Sequence, residues 1–535
     1  MSALDKAIVR QPRLPRFLCH LYQRLNQRRL NLVTGAGISI DAGVPDWHAL
    51  LDRLAASEDT LKHDLTLHRA AGLNPEYLGQ IIYHRLKNNY SEIEPADLRI
   101  ATAEHGWGKA IHEAIYQQVP QDIAAVVKGH PYLAELRDLT RKVPLVINFN
   151  FDDILADAIG HEIKADPAHG NALSVTWQPP LTDRQQLTTI YHVNGVLPRV
   201  SLKKRSPQLI FTEDSFADAR ARSPGVSAEY LFLRFVQNTM LLLGHSLSDS
   251  SLKNYLRLNR DKSPANHHYM IFWLKEPSDL SKGRQQDIFE ANLELYNLVT
   301  IFLTSAEIRE FLNLLNLDDR RFSEALDSLG DARLSRYHYY IAGPVAAGKS
   351  TLLEQLRCFQ THEEWTRPPP SEMYLASSKI DAEQQATIDK FIYSELKEKN
   401  KRMHNASIGF HFMDRAPLDL YAFSKSHAEN KKKSGELREL VTRDLSLQKG
   451  EVLFIEAPPS VLVQRNLARG RPPDDAGKEE YFVNQTVNLK DVYKPPFVFS
   501  TGSNDAGDVA RRVARHVLFD DYQPIDLEAI ISRYE

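Results

Sequence analysis

The chain has 535 residues, of which 42% are hydrophobic and 25% charged, and its formal net charge is −3. This length exceeds one ordinary domain, and the composition is that of globular proteins, which excludes global disorder and predicts at least two domains. The near-neutral net charge argues against a protein that binds nucleic acid through an overall positive charge. The N-terminus lacks the apolar core of a secretory signal, and no stretch has the roughly 18 apolar residues of a membrane helix, so we expect a cytoplasmic protein without membrane contact.

Only two cysteines, Cys19 and Cys358, are present, and we expect one in each domain. Two thiols cannot build a four-cysteine zinc site or a disulfide framework. The count therefore predicts a reducing compartment and no zinc.

The first phosphate-handling signature is LNLVTGAGISIDAGVP at 30–45, where a short apolar strand runs into Gly35, Ala36 and Gly37 before an expected helix. In a doubly wound α/β domain, glycines at this turn let the backbone approach a pyrophosphate, and the helix N-terminus supplies N–H donors. Taken alone, the pattern is equally compatible with a tight glycine turn.

Residues 48–126 are rich in Leu, Ala, His and charge, so we interpret them as a helical insertion. Short apolar runs then predict strands that alternate with helical segments, at 143–151, 188–197, 207–212 and 239–247 and around Ile271 and Ile301. The pattern predicts a Rossmann-like parallel-sheet domain over 1–320, a linker over 321–335 and a second α/β domain over 336–535.

The segment GAGISIDAGVPDW at 35–47 resembles the opening of sirtuin-fold proteins, in which a glycine loop contacts NAD. Four further segments agree in order and spacing: NFNFDD (148–153), YHVNG (191–195), FTED (211–214) and GHSLSD (244–249). The resemblance covers about residues 25–260 and implies a sirtuin-type domain that binds NAD. The residues it assigns to NAD binding are Gly35, Ala36, Gly37, Ser39, Asp46, Trp47, Asn194, Gly244, Ser246 and Asp249.

Cleavage of the bond between nicotinamide and ribose needs a polarised leaving group and a poised nucleophile. By resemblance, Asn150 holds a water or ribose hydroxyl, and Asp152 organises the ribose side. His192 is by the same resemblance the general base or a ribose-hydroxyl partner. Each of the three also fits a structural role as a polar residue at a strand end. In most sirtuin-like motifs histidine directly precedes the glycine, whereas here Asn194 does. Residues i and i+2 of a strand face the same side, so His192 can substitute. A pocket that binds NAD without cleaving it is the alternative.

Deacylating sirtuins carry a four-cysteine zinc module, which this chain cannot build. Sirtuin-like domains without that module, fused to other domains in bacterial antiviral proteins, typically hydrolyse NAD. The resemblance therefore implies an NAD hydrolase, with the choice between NAD and NADP left open.

The second signature, GPVAAGKS at 343–350, has every fixed position of the G-x-x-x-x-G-K-S loop and lies between an apolar strand and a leucine-rich helix. Its N–H groups are expected to cradle the phosphates of ATP or another nucleoside triphosphate. Lys349 would reach the β and γ oxygens, and Ser350 would help to hold Mg²⁺. Gly343, Gly348 and Thr351 complete the expected contacts.

DRAPLDLYAF at 414–423 resembles the Asp-Arg motif of deoxynucleoside and nucleoside monophosphate kinases, and residues 451–472 resemble their later strand and arginine-bearing lid. This resemblance covers about 336–520. It implies that Asp414 positions Mg²⁺ or the acceptor hydroxyl and that Arg415 holds a substrate phosphate. The arginines that it expects to close on the phosphoryl group are Arg465, Arg469 and Arg471; a solvated helix is the simpler interpretation for them.

The combined hypothesis is an NAD hydrolase, regulated by a kinase-like nucleotide-binding domain, that acts in antiphage defence by depleting NAD. Unregulated hydrolysis would harm the host, so we expect a trigger derived from phage or from an operon partner, and a homo-oligomer. Two alternatives stay open: a working nucleoside or nucleotide kinase whose sirtuin-like domain only binds NAD or an NAD-derived signal, and a non-catalytic assembly module switched by nucleotide.

Overall fold

The computed structural model describes residues 2–56, 59–165, 173–180, 187–200, 209–222, 226–328, 335–375, 379–470, 478–502 and 505–535. The chain divides into two compact units. The first comprises Met1–Leu14, Arg24–Lys262 and His267–Asp318, and the second comprises Pro15–Gln23, Ser263–Asn266 and Asp319–Glu535. Both cysteines therefore belong to the second unit, contrary to the expectation of one in each.

The first unit is built on seven parallel strands: β1 Leu30–Thr34, β2 Leu145–Asn148, β3 Leu173–Thr176, β4 Thr188–His192, β5 Thr239–Leu243, β6 His268–Trp273 and β7 Leu298–Leu303. They are arranged in the order β3-β4-β2-β1-β5-β6-β7, and every pairing is parallel. The chain adds β2, β3 and β4 on one side of β1 and then crosses to place β5 on the other side. The topological switch point, where doubly wound domains bind their ligands, therefore lies between β1 and β5.

Helices surround this sheet, and those between β1 and β2 in the sequence include the segment that we interpreted as an insertion. Their bounds are α1 Ala3–Arg10, α2 Leu14–Asn26, α3 Trp47–Leu54, α4 Asp59–Ala70, α5 Pro75–Asn88, α6 Ala96–Tyr116, α7 Ile123–Gly129, α8 Leu133–Thr140, α9 Ile154–Ala165, α10 Glu213–Arg222, α11 Val226–Gln237, α12 Ser250–Lys262, α13 Lys282–Tyr296 and α14 Ser305–Asn316. Most of α2, from Pro15 to Gln23, packs with the second unit.

The predicted fold class, mixed α/β with parallel sheets, is confirmed, but one strand prediction is wrong and one strand of the first sheet was missed. Residues 209–212 of the expected 207–212 strand form no strand, and 207–208 lie outside the described residues. Phe211 instead packs against Trp47 and Trp107, with ring centroids 4.9 and 5.3 Å apart. Strand β3 was not predicted, because it is a partly exposed edge strand without a continuous apolar run.

The second unit contains a five-stranded parallel sheet in the order β12-β11-β8-β10-β9. Its strands are β8 Arg336–Ala342, β9 Gln360–His362, β10 Gly409–Asp414, β11 Glu451–Glu456 and β12 Phe497–Ser500. Its helices are α15 Asp319–Ser328, α16 Lys349–Gln355, α17 Ala382–His404, α18 His427–Leu437, α19 Pro459–Ala468, α20 Glu479–Tyr493, α21 Ala506–Phe519 and α22 Leu527–Ser532. The expected linker, 321–335, overlaps α15, and residues 329–334 lie outside the described residues. No helix in the described part of either unit is long and apolar enough to cross a bilayer.

The segment Pro15–Gln23 is bound to this sheet by a side-chain amide that forms two hydrogen bonds with the backbone of β10. The Gln23 amide donates to the Phe410 carbonyl (3.0 Å) and accepts from the Phe410 N–H (3.1 Å). Gly409 has φ +125°, and a Cβ there would lie 2.4 Å from the Gln23 side chain. A glycine is therefore required at 409 for this contact to form.

A buried histidine in the second unit makes the stability of this unit depend on pH. His516 contacts Glu451 (2.5 Å) and Asp520 (2.8 Å), and although burial opposes the charged form, these carboxylates raise its pKa above the ordinary value of 6.5. Because the folded pKa exceeds the unfolded one, the stabilisation is fully present below about pH 6.5 and is lost as pH rises through the folded pKa.

We expect urea unfolding of the wild type, monitored for this unit, to show lower stability at pH 9 than at pH 6. In His516→Gln this difference should shrink, and an equal difference in both proteins would contradict the assignment.

Candidate functional site

Three glycines allow the ends of β1 and β5 to approach each other at the switch point. The N–H of Gly35 donates to the Leu243 carbonyl (3.0 Å), and that of Gly37 donates to the Gly244 carbonyl (3.0 Å). A Cβ on Gly35 would lie 2.5 Å from the Gly244 oxygen, and one on Gly37 would lie 2.7 Å from the Gly244 Cα. Close backbone packing therefore requires these glycines even before a ligand is considered.

The helix expected after the glycines begins too late to supply N–H donors beside them, and this corrects the sequence interpretation. Two short 3-10 turns, Ala36–Ile38 and Ile40–Ala42, follow the glycines, and α3 begins only at Trp47. Asp46 caps α3 by accepting from the Ala49 N–H (2.8 Å). The N–H donors and dipole of an α-helix N-terminus are therefore not placed beside Gly35 and Gly37.

Asn150 and Asp152, at the end of β2, both contact the glycine segment. The Asn150 side chain donates from Nδ2 to the Gly35 carbonyl (2.9 Å), and Ser39 donates from Oγ to Asp152 Oδ1 (2.9 Å). Burial raises the pKa of Asp152 to about 6. An amide and a carboxylate are thus brought together at the end of the sheet, beside the β1 loop.

His192 ends β4, Asn194 lies just beyond it, and both side chains contact the segment that follows β2. His192 Nδ1 pairs with the Asn150 carbonyl (3.0 Å), and Asn194 donates from Nδ2 to the Phe149 carbonyl (3.1 Å). His192 is fully buried, and burial lowers its pKa to about 4, so the imidazole is neutral at pH 7. The His192 ring is therefore hydrogen-bonded to the backbone of Asn150.

The remaining candidates of the first unit lie around this centre. Trp47 packs against Phe151 with ring centroids 6.0 Å apart. Ser246 pairs with Ser248 (2.9 Å) on the surface, and Asp249 Oδ1 accepts from the Leu252 N–H (2.9 Å) at the start of α12.

In the second unit, the P-loop has the backbone that its glycines predict. Gly343 has φ +146°, and a Cβ there would lie 2.1 Å from the Ile455 carbonyl oxygen, while Gly348 has φ +97° before α16. The Lys349 ammonium is buried and donates to the carbonyls of Gly343 and Pro344 (2.8 Å each). Burial lowers the pKa of Lys349. The ammonium is therefore held at the loop by backbone oxygens.

Ser350 and Asp414 meet because β8 and β10 are neighbours whose carboxyl ends lie together. Ser350 Oγ donates to Asp414 Oδ2 (2.8 Å), and Asp414 Oδ1 is buried without a hydrogen-bond partner among the described residues. A hydroxyl and a carboxylate are ligands that Mg²⁺ accepts together with phosphate oxygens and water. These two residues fit the expected ion.

Arg415, which the sequence interpretation named, lies at this site together with three charged residues that it missed: Glu364, Lys399 and Asp419. Arg415, which has φ +65°, forms an ion pair with Glu364, and Lys399 Nζ donates to the Asp414 carbonyl (3.1 Å). Asp419 accepts from the Tyr493 hydroxyl (3.0 Å), and burial raises its pKa to about 6. The sequence signal for Glu364 was weak, because the strand that precedes it, β9, is short and polar and has no apolar run.

Arg465 lies beside the P-loop. It donates to Thr501 Oγ1 (3.1 Å) and to the Thr501 carbonyl (2.8 Å), and Thr501 Oγ1 donates to the Ala347 carbonyl (2.8 Å). A cavity of about 400 Å³ opens here, and its lining includes Thr351, Arg465 and Arg469. Arg471 lies outside the described residues.

Comparison with protein families finds a match to a SIR2-like domain at residues 144–301. This segment contains β2 to β6 and most of β7, together with Asn150, Asp152, His192 and Asn194. A SIR2-like domain points to NAD-related activity. No curated protein matches the chain.

Among solved structures, the chain is similar to a deoxyadenosine kinase from M. mycoides, in one structure with the products dCMP and a flexible dCDP and in another with dATP. Sequence identities are 18% and 19%, and each comparison covers 34% of this chain and 98% of the other with a TM-score of 0.28. A shikimate kinase from Acinetobacter baumannii in complex with shikimate has 13% identity, covers 34% and 94%, and has a TM-score of 0.23. Scores this low do not establish an activity.

Proposed function

We propose that this protein is an NAD hydrolase that releases nicotinamide and that its P-loop unit binds a nucleotide that regulates the release. The supporting observation is that Asn150 and Asp152 contact the glycine segment at the switch point. Asn150 and Asp152 lie within the SIR2-like match, and the glycine segment precedes it in the sequence. Water is the second substrate, and the products are nicotinamide, ADP-ribose and a proton. The first test is nicotinamide release by purified full-length protein.

Each site residue has a different proposed role in this hydrolysis. Asn150 orients the ribose hydroxyl or attacking water, and Asp152 supplies negative charge beside the oxocarbenium-like ribose. His192 positions Asn150 through its carbonyl. With only two cysteines, the chain cannot form the zinc module of deacylating sirtuins, which favours hydrolysis over deacylation.

The P-loop unit is proposed to bind ATP or another nucleoside triphosphate with Mg²⁺ at Ser350 and Asp414. A nucleotide changes the hydrolase only if it binds the active and inactive states with different affinity. We propose a cytoplasmic, homo-oligomeric effector of antiphage defence that depletes NAD after a phage-derived or operon-encoded trigger. Infection changes nucleotide pools, and a nucleotide-binding unit can detect that change.

Comparison of His192→Ala with Asn194→Ala tests which residue of YHVNG supports the site. Removal of His192 leaves the buried Asn150 carbonyl unpaired, so we expect about tenfold or greater loss of nicotinamide release. Asn194→Ala should have a smaller effect, because its amide contacts Phe149 rather than Asn150. Steady-state release and circular dichroism of both variants measure this. An unchanged rate in folded His192→Ala would remove the proposed support role.

The ionisation of Asp152 predicts a pH dependence of activity. Its pKa of about 6 means that the carboxylate is charged above pH 6 and neutral below it. We therefore expect kcat/KM for nicotinamide release to fall as pH drops below about 6, and the profile of Asp152→Asn to be flatter and lower. A wild-type profile that is flat from pH 5 to 8 would contradict the role of Asp152.

A second candidate function is phosphoryl transfer by the P-loop unit, with the first unit acting only as a sensor of NAD or an NAD-derived signal. The observation that favours it is the Glu364–Arg415 ion pair beside Asp414 and Ser350. Such a pair places a carboxylate acceptor for a hydroxyl proton and a cation for a phosphate at one site. Formation of phosphorylated nucleosides or nucleotides without nicotinamide release would favour this function.

A further inference from the structure

His245 follows Gly244 at the carboxyl end of β5 and has no role in the proposed hydrolysis. Its Nε2 is buried and has no hydrogen-bond partner among the described residues. Burial lowers the pKa of His245 to about 4, so the imidazole is neutral at pH 7. A buried polar nitrogen without a partner costs free energy, and such an atom at a candidate site calls for an explanation.

The ring of His245 lies over the end of β1. Strands β5 and β2 lie on opposite sides of β1 in the sheet. They are therefore two strand spacings, or roughly 10 Å, apart. Yet the rings of His245 and Phe149, which follow β5 and β2, have centroids only 4.9 Å apart in an edge-to-face contact. The two side chains therefore lean toward each other across the end of β1.

The unpaired nitrogen is consequently close to the glycine segment. A Cβ built on Gly35 would lie 2.9 Å from Cδ2 of His245, and Cδ2 is bonded directly to Nε2. The same segment lacks the donors of an α-helix N-terminus, because α3 begins ten residues after Gly37. A side-chain donor beside Gly35 would therefore add to the backbone N–H groups at the start of the 3-10 turn Ala36–Ile38.

We propose that His245 is a nucleotide-binding residue whose Nε2–H donates a hydrogen bond to a pyrophosphate oxygen of the dinucleotide bound at Gly35. This inference rests on the proposed function, since it requires NAD at the switch point. Asn194 Nδ2 is engaged with the Phe149 carbonyl. His192 Nε2 is also buried without a hydrogen-bond partner among the described residues, but its Nδ1 pairs with the Asn150 carbonyl, so in the neutral ring Nδ1 carries the proton and Nε2 cannot donate to a phosphate.

Three substitutions separate this donor role from packing. His245→Phe keeps an aromatic ring against Phe149 but removes both nitrogens. His245→Gln retains an N–H donor near the Nε2 position, whereas His245→Asn moves it toward the Nδ1 position. His63→Gln, at an exposed histidine on α4, is the matched control.

The measurement is calorimetric binding of NAD and of ADP-ribose, which contains the same pyrophosphate, to the full chain, together with nicotinamide release. His245→Phe and His245→Asn should weaken binding of both ligands tenfold or more, because one hydrogen bond to a charged group is lost. His245→Gln and His63→Gln should stay within about threefold of wild type. Circular dichroism identifies folded variants, and His245→Asn decides the result if His245→Phe does not fold.

The outcomes separate this inference from the proposed function. Unchanged affinity in folded His245→Phe or His245→Asn would overturn it, as would failure of the glutamine variant to retain binding. Weakened binding in these variants with no nicotinamide release by the wild type would support the binding role and contradict the hydrolase. Absence of NAD and ADP-ribose binding to the wild type would overturn both.

Discussion

Replacement of Asn150 with alanine is expected to reduce nicotinamide release at least about a hundredfold, while the protein remains folded. Two effects act together. The substitution removes the amide that is proposed to orient water or the ribose hydroxyl, and it removes the hydrogen bond from Nδ2 to the Gly35 carbonyl. The measurement is nicotinamide formed per unit time at saturating NAD, together with the circular dichroism spectrum.

Asn150→Asp is the matched variant, because it keeps the size of the side chain but loses the donor to Gly35. It should also release little nicotinamide. Asn88→Ala, at the end of α5, is the control and should retain wild-type turnover. Wild-type-like turnover in folded Asn150→Ala would contradict the assignment of the site.

Replacement of Lys349 with alanine is expected to weaken nucleoside triphosphate binding about ten- to a hundredfold and to remove the nucleotide dependence of nicotinamide release. The ammonium is held at the P-loop by the carbonyls of Gly343 and Pro344, and it is the cation expected to reach the β and γ oxygens. Nucleotide affinity is measured by calorimetry with Mg²⁺, and release is measured with and without the same nucleotide.

Lys397→Ala is the control for this variant, because Lys397 is a half-buried lysine of α17 that pairs with the exposed Asp444. Its nucleotide affinity and regulation should be unchanged. If Lys349→Ala lost nucleotide binding but kept wild-type regulation, the P-loop unit would not be the regulator.

The sequence predicted the fold class well because its strongest signals are local. The apolar runs ending in Gly35 and Gly343 became β1 and β8, each followed by a glycine turn. These runs are short, almost wholly buried and closed by a glycine, and their length and the glycine distinguish them from helices. The partly exposed β3 has no such run, and the apolar residues near Phe211 pack among aromatic rings instead of joining the sheet.

Parts of the site depend on contacts between distant segments and were not predictable from one sequence. The sequence did not show that His192 pairs with the Asn150 carbonyl or that His245 reaches across β1 to Phe149. The motif pattern also placed an α-helix after Gly37, whereas the structure has 3-10 turns, because a tight glycine turn does not determine the conformation of the residues after it. The roles of individual site residues remain predictions.

The most direct test is to incubate the purified full chain with NAD, alone and with ATP or a panel of deoxynucleotides plus Mg²⁺, and to quantify nicotinamide and phosphorylated products. We predict nicotinamide release whose rate depends on the second nucleotide. Absence of release under every condition, with phosphoryl transfer in its place, would contradict the hydrolase and make the P-loop unit the catalyst.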